Sequence, residues 1–171
     1  KAHEYQASAP WFYKGWYSKN YNDSSTCDGR THPYLRPAEM VDILNAWVVW
    51  DKGTTEDRAL ILPINYNNKI GEEEHGCWCT AGNCGNPFTM QQMKARADEL
   101  LGLPPNQAYS QVNSMGQITV DENPSSAMGG RTISLVFNTD KGPVTVDAEK
   151  FRTAFNLRAP GRMSIPQSGF A

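Results

Sequence analysis

Gly129-Gly130-Arg131-Thr132-Ile133-Ser134-Leu135-Val136-Phe137, a turn, and then Val144-Thr145-Val146-Asp147-Ala148-Glu149-Lys150-Phe151-Arg152-Thr153-Ala154-Phe155-Asn156-Leu157-Arg158 is the stretch that decides the fold. Ile133, Leu135 and Phe137 alternate with Ser134 and Val136, the period of a strand with one buried face. Asp140-Lys141-Gly142 makes a tight connection to a second strand at residues 144–146. Asp147 then caps a helix whose Ala148, Phe151 and Phe155 share one side.

Working upstream, Ile118 and Val120 alternate with polar residues and predict a further strand. The segment 90–101 predicts a helix opened by a Thr89/Gln92 capping box and closed by Gly102, with Pro104 and Pro105 forbidding continuation. Met90, Met93, Ala97, Leu100 and Leu101 line one face of it. A second helix is predicted over 37–50, with Pro37 at the first position and Glu39 in the first turn. Its expected buried face is Met40, Ile43, Leu44 and Trp47, and Gly53 is a candidate left-handed cap. Residues 58–64 form a short apolar run readable as a strand, which Pro63 restricts to an edge or an end. Residues 1–35 are polar and aromatic without a clean period.

These elements predict an α+β fold: a small, mostly antiparallel sheet with helices packed on one face and a loop-rich N-terminal part. The 171 residues read as a single domain. Within it, 1–86 is the loop-rich aromatic and cysteine-containing part and 87–171 is the α+β core. Sixteen Lys and Arg against eighteen Asp and Glu leave a formal charge of −2, so there is no electrostatic case for nucleic acid. No apolar run approaches a membrane span. Residue 1 is Lys and no signal peptide opens the sequence, which reads as a processed protein or an excised fragment. Asn, Ser, Thr, Gly, Tyr and Trp are plentiful, and with an even number of cysteines they favour an extracellular or cell-envelope location.

Cys27, Cys77, Cys79 and Cys84 carry two competing readings. In the leading one they form disulfides: Cys77 and Cys79 are too close to bridge comfortably, so Cys27 joins one of the three and the other two pair locally, Cys84 being one of them. In the alternative, four thiolates, or three with His75, hold a tetrahedral zinc, although C-x-C is tighter than the usual spacing. A cysteine nucleophile needs an imidazole from His3, His32 or His75, and neighbouring thiols would silence it by oxidation. Glu72-Glu73-Glu74 is a candidate general acid, with a solvated acidic loop as its plainer reading. Trp11 and Trp16 are candidate platforms for sugar rings, and Arg152 and Arg158 candidate contacts to an anionic glycan. Burial in a small core, and ion pairs with local carboxylates, are the plainer readings of those two groups.

Residues 129–165 resemble the C-terminal part of the SpoIID/LytB domain of sporulation protein D and amidase-enhancer proteins. Gly130-Arg131, Gly142, Phe151-Arg152 and Leu157-Arg158 carry the resemblance. It implies a bacterial envelope protein that binds or acts on peptidoglycan. The upstream acidic motif of catalytic relatives has no counterpart in this sequence, so no catalytic residue is carried over. The expectation is therefore a secreted or envelope-associated module that binds peptidoglycan or a related cell-wall polysaccharide, leaning away from an enzyme, with no cofactor unless zinc. The alternatives are a lytic transglycosylase-like enzyme that cleaves cell-wall glycan and a ligand-free structural or interaction domain.

Overall fold

The structure is a computed structural model that describes residues 35–62, 64–65, 74–75, 87–122, 131–159 and 165. At its centre lies α1 (Pro37–Lys52). Pro37 occupies the first helical position, where its missing N–H costs nothing, and the Arg36 amide donates to Glu39 Oε2 at 2.6 Å. Every residue from Val41 to Val49 is buried. The sequence spacing picks out one stripe, but this helix is covered on all sides and Met40 is only half-buried. A helix apolar all round belongs in the middle of a core rather than on its rim.

Gly53 also differs from expectation. Its φ of −80° and ψ of 171° are extended, so no left-handed cap forms. Glycine is required there by close approach: a Cβ would stand 2.5 Å from the Val49 carbonyl oxygen. The chain turns at once into α2 (Thr55–Ala59), opened by a reciprocal Thr54/Asp57 capping box. The run expected as a strand over 58–64 is thus partly helical. Among the described residues the strand pairing there is β1 (Ile64–Asn65) against β2 (Glu74–His75), antiparallel.

Helix α3 (Met90–Leu101) begins at the Thr89/Gln92 capping box and ends at Gly102 with φ 66°, ψ 30°, the left-handed conformation glycine adopts without cost. The sheet then follows as β3 (Val112–Val120), β4 (Thr132–Thr139) and β5 (Gly142–Asp147), antiparallel in the order β3-β4-β5. Asp140 and Lys141 keep negative φ and Gly142 takes φ 93°, so a glycine closes the hairpin. Asp147 caps α4 (Ala148–Arg158), its Oδ1 accepting from the Lys150 amide at 2.8 Å.

Helix α4 packs on β4 and β5, and α1 packs against α3, α4 and β3. Leu135, Phe137 and Val146 of the sheet meet Ile43, Leu44 and Trp47 of α1 and Phe151, Ala154 and Phe155 of α4 in one cluster. Phe137 and Phe151 stack at 5.0 Å between ring centroids. A second cluster of Ala46, Val49, Ile61 and Met93 fixes α3 on the other side of α1. The fold is α+β, a small antiparallel sheet with helices. Its core crosses the division drawn at residue 86, because α1 supplies the middle of it. Among the described residues no helix is long and apolar enough to cross a membrane.

Candidate functional site

The sequence-expected ligand residues fall in different places. Trp11 and Trp16 lie outside the described residues, as do Cys27, Cys77, Cys79 and Cys84, Glu72, Glu73, His3 and His32. Glu74 and His75 are described only as the backbone of β2. Arg152 stands on the outer side of α4, where its Nε donates to Glu149 Oε2 at 3.2 Å and its Nη2 to Oε1. That hydrogen bond holds the Glu149 carboxyl below its ordinary value.

Arg158 corrects the expectation of a surface group. Its side chain has no solvent exposure, and neither has that of Asp42. Arg158 Nε donates to Asp42 Oδ2 at 2.6 Å and Nη2 to Oδ1 at 3.1 Å, a bidentate pair between α4 and α1. Nη1 donates to the Leu62 carbonyl at 2.8 Å, bringing in the segment after α2. The signal was present in the sequence. Arg158 lies seven residues after Phe151 and three after Phe155, on the stripe that faces the core.

The structure also forms a cleft that sequence reading missed. It encloses about 570 Å³ between the first half of α1, the start of α3 and the strap at 106–110. That volume lies within the range of small-ligand sites. Val41, Asp42 and Asn45 come from α1, Thr89, Met90, Gln91 and Lys94 from α3, and Asn106, Tyr109 and Ser110 from the strap.

The strap is held by side chains rather than by regular structure. The Asp98 carboxylate, in the last turn of α3, accepts from the Asn106 amide at 2.7 Å and from the Ala108 amide. Asn106 pays for the bend with a positive φ of 63°. Asp140, from the β4–β5 turn, accepts from the amides of Ser110 and Gln111, both at 3.0 Å. Burial pushes the Asp140 carboxyl up, but these two amides and Lys141 outweigh it, and the net shift is downward. Asn45 Nδ2 donates to the Tyr109 carbonyl at 3.1 Å. Burial raises the Tyr109 phenol, and the Asp140 charge adds to the effect.

Two features give the cleft its electrostatic character. The capping box uses the amides of Thr89 and Gln92 and leaves those of Met90 and Gln91, at the positive end of α3, without a partner among the described residues. Lys94 Nζ is 2.5 Å from the neutral Ser110 Oγ and meets no carboxylate among the described residues. Asn45 is only 2 % exposed, and its carboxamide oxygen, closed to solvent behind the lining, has no hydrogen-bond partner. The one carboxylate among the described lining residues, that of Asp42, is engaged by Arg158. Among the described residues no group of three or more His, Cys, Asp or Glu side chains gathers to hold a metal.

Compared with protein-family models, curated proteins and solved structures, the chain matches none.

Proposed function

We propose that this chain is a secreted or cell-envelope module that binds peptidoglycan or a related cell-wall polysaccharide without cleaving it, and that the α1–α3 cleft is where the ligand is held. The cleft carries the reading. Its lining offers donors from α3 and Lys94 beside an apolar wall, while the carboxylate of Asp42 is committed to Arg158. Such a lining favours recognition over proton transfer, which needs a carboxyl group free to change its charge. The resemblance of residues 129–165 to the SpoIID/LytB domain supports the choice of ligand class. The even number of cysteines, Cys27, Cys77, Cys79 and Cys84, accords with disulfides in an oxidising compartment. Trp11, Trp16 and Arg152 remain candidate contacts; Arg158 acts through the core instead.

The test is co-sedimentation of the 171-residue chain with purified sacculi. Retention that Lys94→Gln weakens, with no soluble muropeptide released, is the expected result. Release of muropeptides would assign a lytic enzyme instead. Indifference to sacculi would leave a structural or interaction domain and overturn the proposal.

A further inference from the structure

The sheet carries a surface of a different kind at its edge. We infer that β3 is the contact between two copies of this chain, its outer edge pairing antiparallel with the same edge of a second copy. The inference stands apart from the cleft and does not depend on what the cleft binds.

Strand β3 ends the sheet, with β4 on one side and no strand on the other among the described residues. It runs nine residues, and every one from Asn113 to Val120 is exposed. A strand in that position presents a row of backbone N–H and C=O groups to any chain able to match them. Folded proteins guard such edges with charge, with proline or by keeping them short. The opposite edge is guarded: β5 has six residues, and its Pro143 has no amide to offer. The sequence of β3, Val-Asn-Ser-Met-Gly-Gln-Ile-Thr-Val, holds neither charge nor proline. Met115 and Ile118 pair with Phe137 and Leu135, so they lie on the helix-bearing face of the sheet, yet they are 42 % and 38 % exposed. Ile133, two residues before Leu135 and on the same face of β4, is also exposed. The core cluster thus continues into an apolar strip that reaches the open edge.

A second copy is the occupant that fits, because the strand is complementary to itself. Full overlap about a twofold axis at Gly116, the midpoint of β3, sets Val112 across from Val120, Ser114 from Ile118 and Met115 from Gln117. Gly116 brings no side chain to the axis, and a Cβ there would stand 3.1 Å from the Val136 side chain of β4. Along that length no charge meets a like charge. Past the strand, the same register sets the exposed Glu122 across from Ser110, whose hydroxyl lies 2.5 Å from Lys94 Nζ. Opposed residues of antiparallel strands have Cβ atoms about 5 Å apart. A carboxylate of each copy therefore comes to an ammonium that meets no carboxylate of its own among the described residues, and the charges attract at both ends of the contact. The axis keeps the helices of both copies on one face of a sheet ordered β5-β4-β3-β3-β4-β5, with the two apolar strips meeting between them. The guarded β5 edges end the assembly at two copies. Register shifts against β4, between Val112 and Ser114 and between Met115 and Ile118, add twist to β3 and keep the association weak.

Sedimentation equilibrium of the full chain, from low-micromolar to millimolar concentration, reads the assembly. A rise from the 19.0 kDa of one chain towards twice that mass, and no further, is expected. Ile118→Lys puts a charge into the apolar strip, and Gln117→Lys puts one beside the axis at a polar, exposed position. Each should weaken the dimer about tenfold, with circular dichroism reporting a folded chain. Glu122→Lys and Lys94→Glu should each weaken it about threefold, and the two together should restore it, because the swap exchanges the ends of the same pairs. A chain that stays monomeric at millimolar concentration, growth past two copies, a dimer indifferent to both edge lysines, or a double charge variant no better than either single one would each overturn the inference. Slow amide exchange along the outer edge of β3 in the dilute monomer would overturn it too, since another part of the same chain would then be covering the strand.

Discussion

Among the described residues two arginine–aspartate pairs link helices of this molecule, and they do so under opposite conditions. Arg158 and Asp42 meet between α4 and α1 with no exposure of either side chain. Arg96 and Asp57 meet between α3 and α2, also through two hydrogen bonds, both at 2.9 Å, with the arginine 29 % exposed. The bonds are alike and the surroundings are not. In the core, desolvation cancels much of the attraction, so the pair contributes little net stability while neither member tolerates loss of the other. At the surface, water shares in both states, so making and breaking the pair each cost little. Burial sets the penalty for error more than the strength of the bond.

The largest expected effect comes from breaking the buried pair on one side. Arg158→Ala or Asp42→Ala should lose about 3–5 kcal/mol in urea unfolding, because a charge is stranded in the core. Replacing both partners, as Asp42→Leu with Arg158→Met, should recover most of that loss. If the double variant is as unstable as either single one, the burial argument is wrong.

A smaller effect is expected at the surface pair. Asp57→Ala removes both the cap of α2 and the partner of Arg96, a loss of about 1–2 kcal/mol. The hydrogen bond from Arg96 is the main reason the Asp57 carboxyl lies below its ordinary value of 3.8, against an opposing push from burial. A carboxyl depressed in the folded state stabilises above its unfolded value, and that stabilisation disappears as pH falls through the folded value. Asp57→Asn should therefore flatten the acid limb of the stability profile below about pH 4 and change its shape little near neutrality. An acid limb as steep as that of the parent chain would show that Asp57 is not the group being titrated.

The smallest effect belongs to Arg152 and Glu149, three residues apart on α4, with the glutamate 57 % exposed. Arg152→Ala should change stability by less than about 1 kcal/mol, and added salt should shrink the difference further. A large, salt-independent loss would place this pair with Arg158 rather than with Arg96.

The second half of the fold was legible in local pattern. Leu135 and Phe137 alternate into the core, Asp147 and Thr89 cap where their sequences promise, and Gly102 closes α3 with the expected left-handed turn. Local rules place the elements there. Ile118, Val120 and Ile133, expected on a buried face, are nevertheless exposed, because β3 and the start of β4 carry no cover on that side among the described residues. In α1 the same rules place the helix and its Ile43, Leu44 and Trp47 stripe but miss the burial of its other sides. The informative residues in that helix were the polar ones: Asp42 and Asn45 interrupt an apolar run, and each carries a specific partner or an unmet hydrogen bond. The short helix α2 was hidden behind an apolar stretch, although Thr54 and Asp57 have capping-box spacing. The cleft could not be read at all. It joins residues from 38 to 110 whose proximity is decided by how α1 and α3 pack, and no short-range pattern encodes that packing.

Asp42 belongs to two structures at once. One side of the residue closes the core against Arg158, and another forms part of the cleft wall. That position is consequently closed to adaptation, since a substitution made to suit a ligand would strand a guanidinium in the protein interior. Under the proposed binding role, divergence in the ligand has to proceed through Gln91, Lys94 and Ser110, where a side chain can be exchanged while the frame beneath it stays constant.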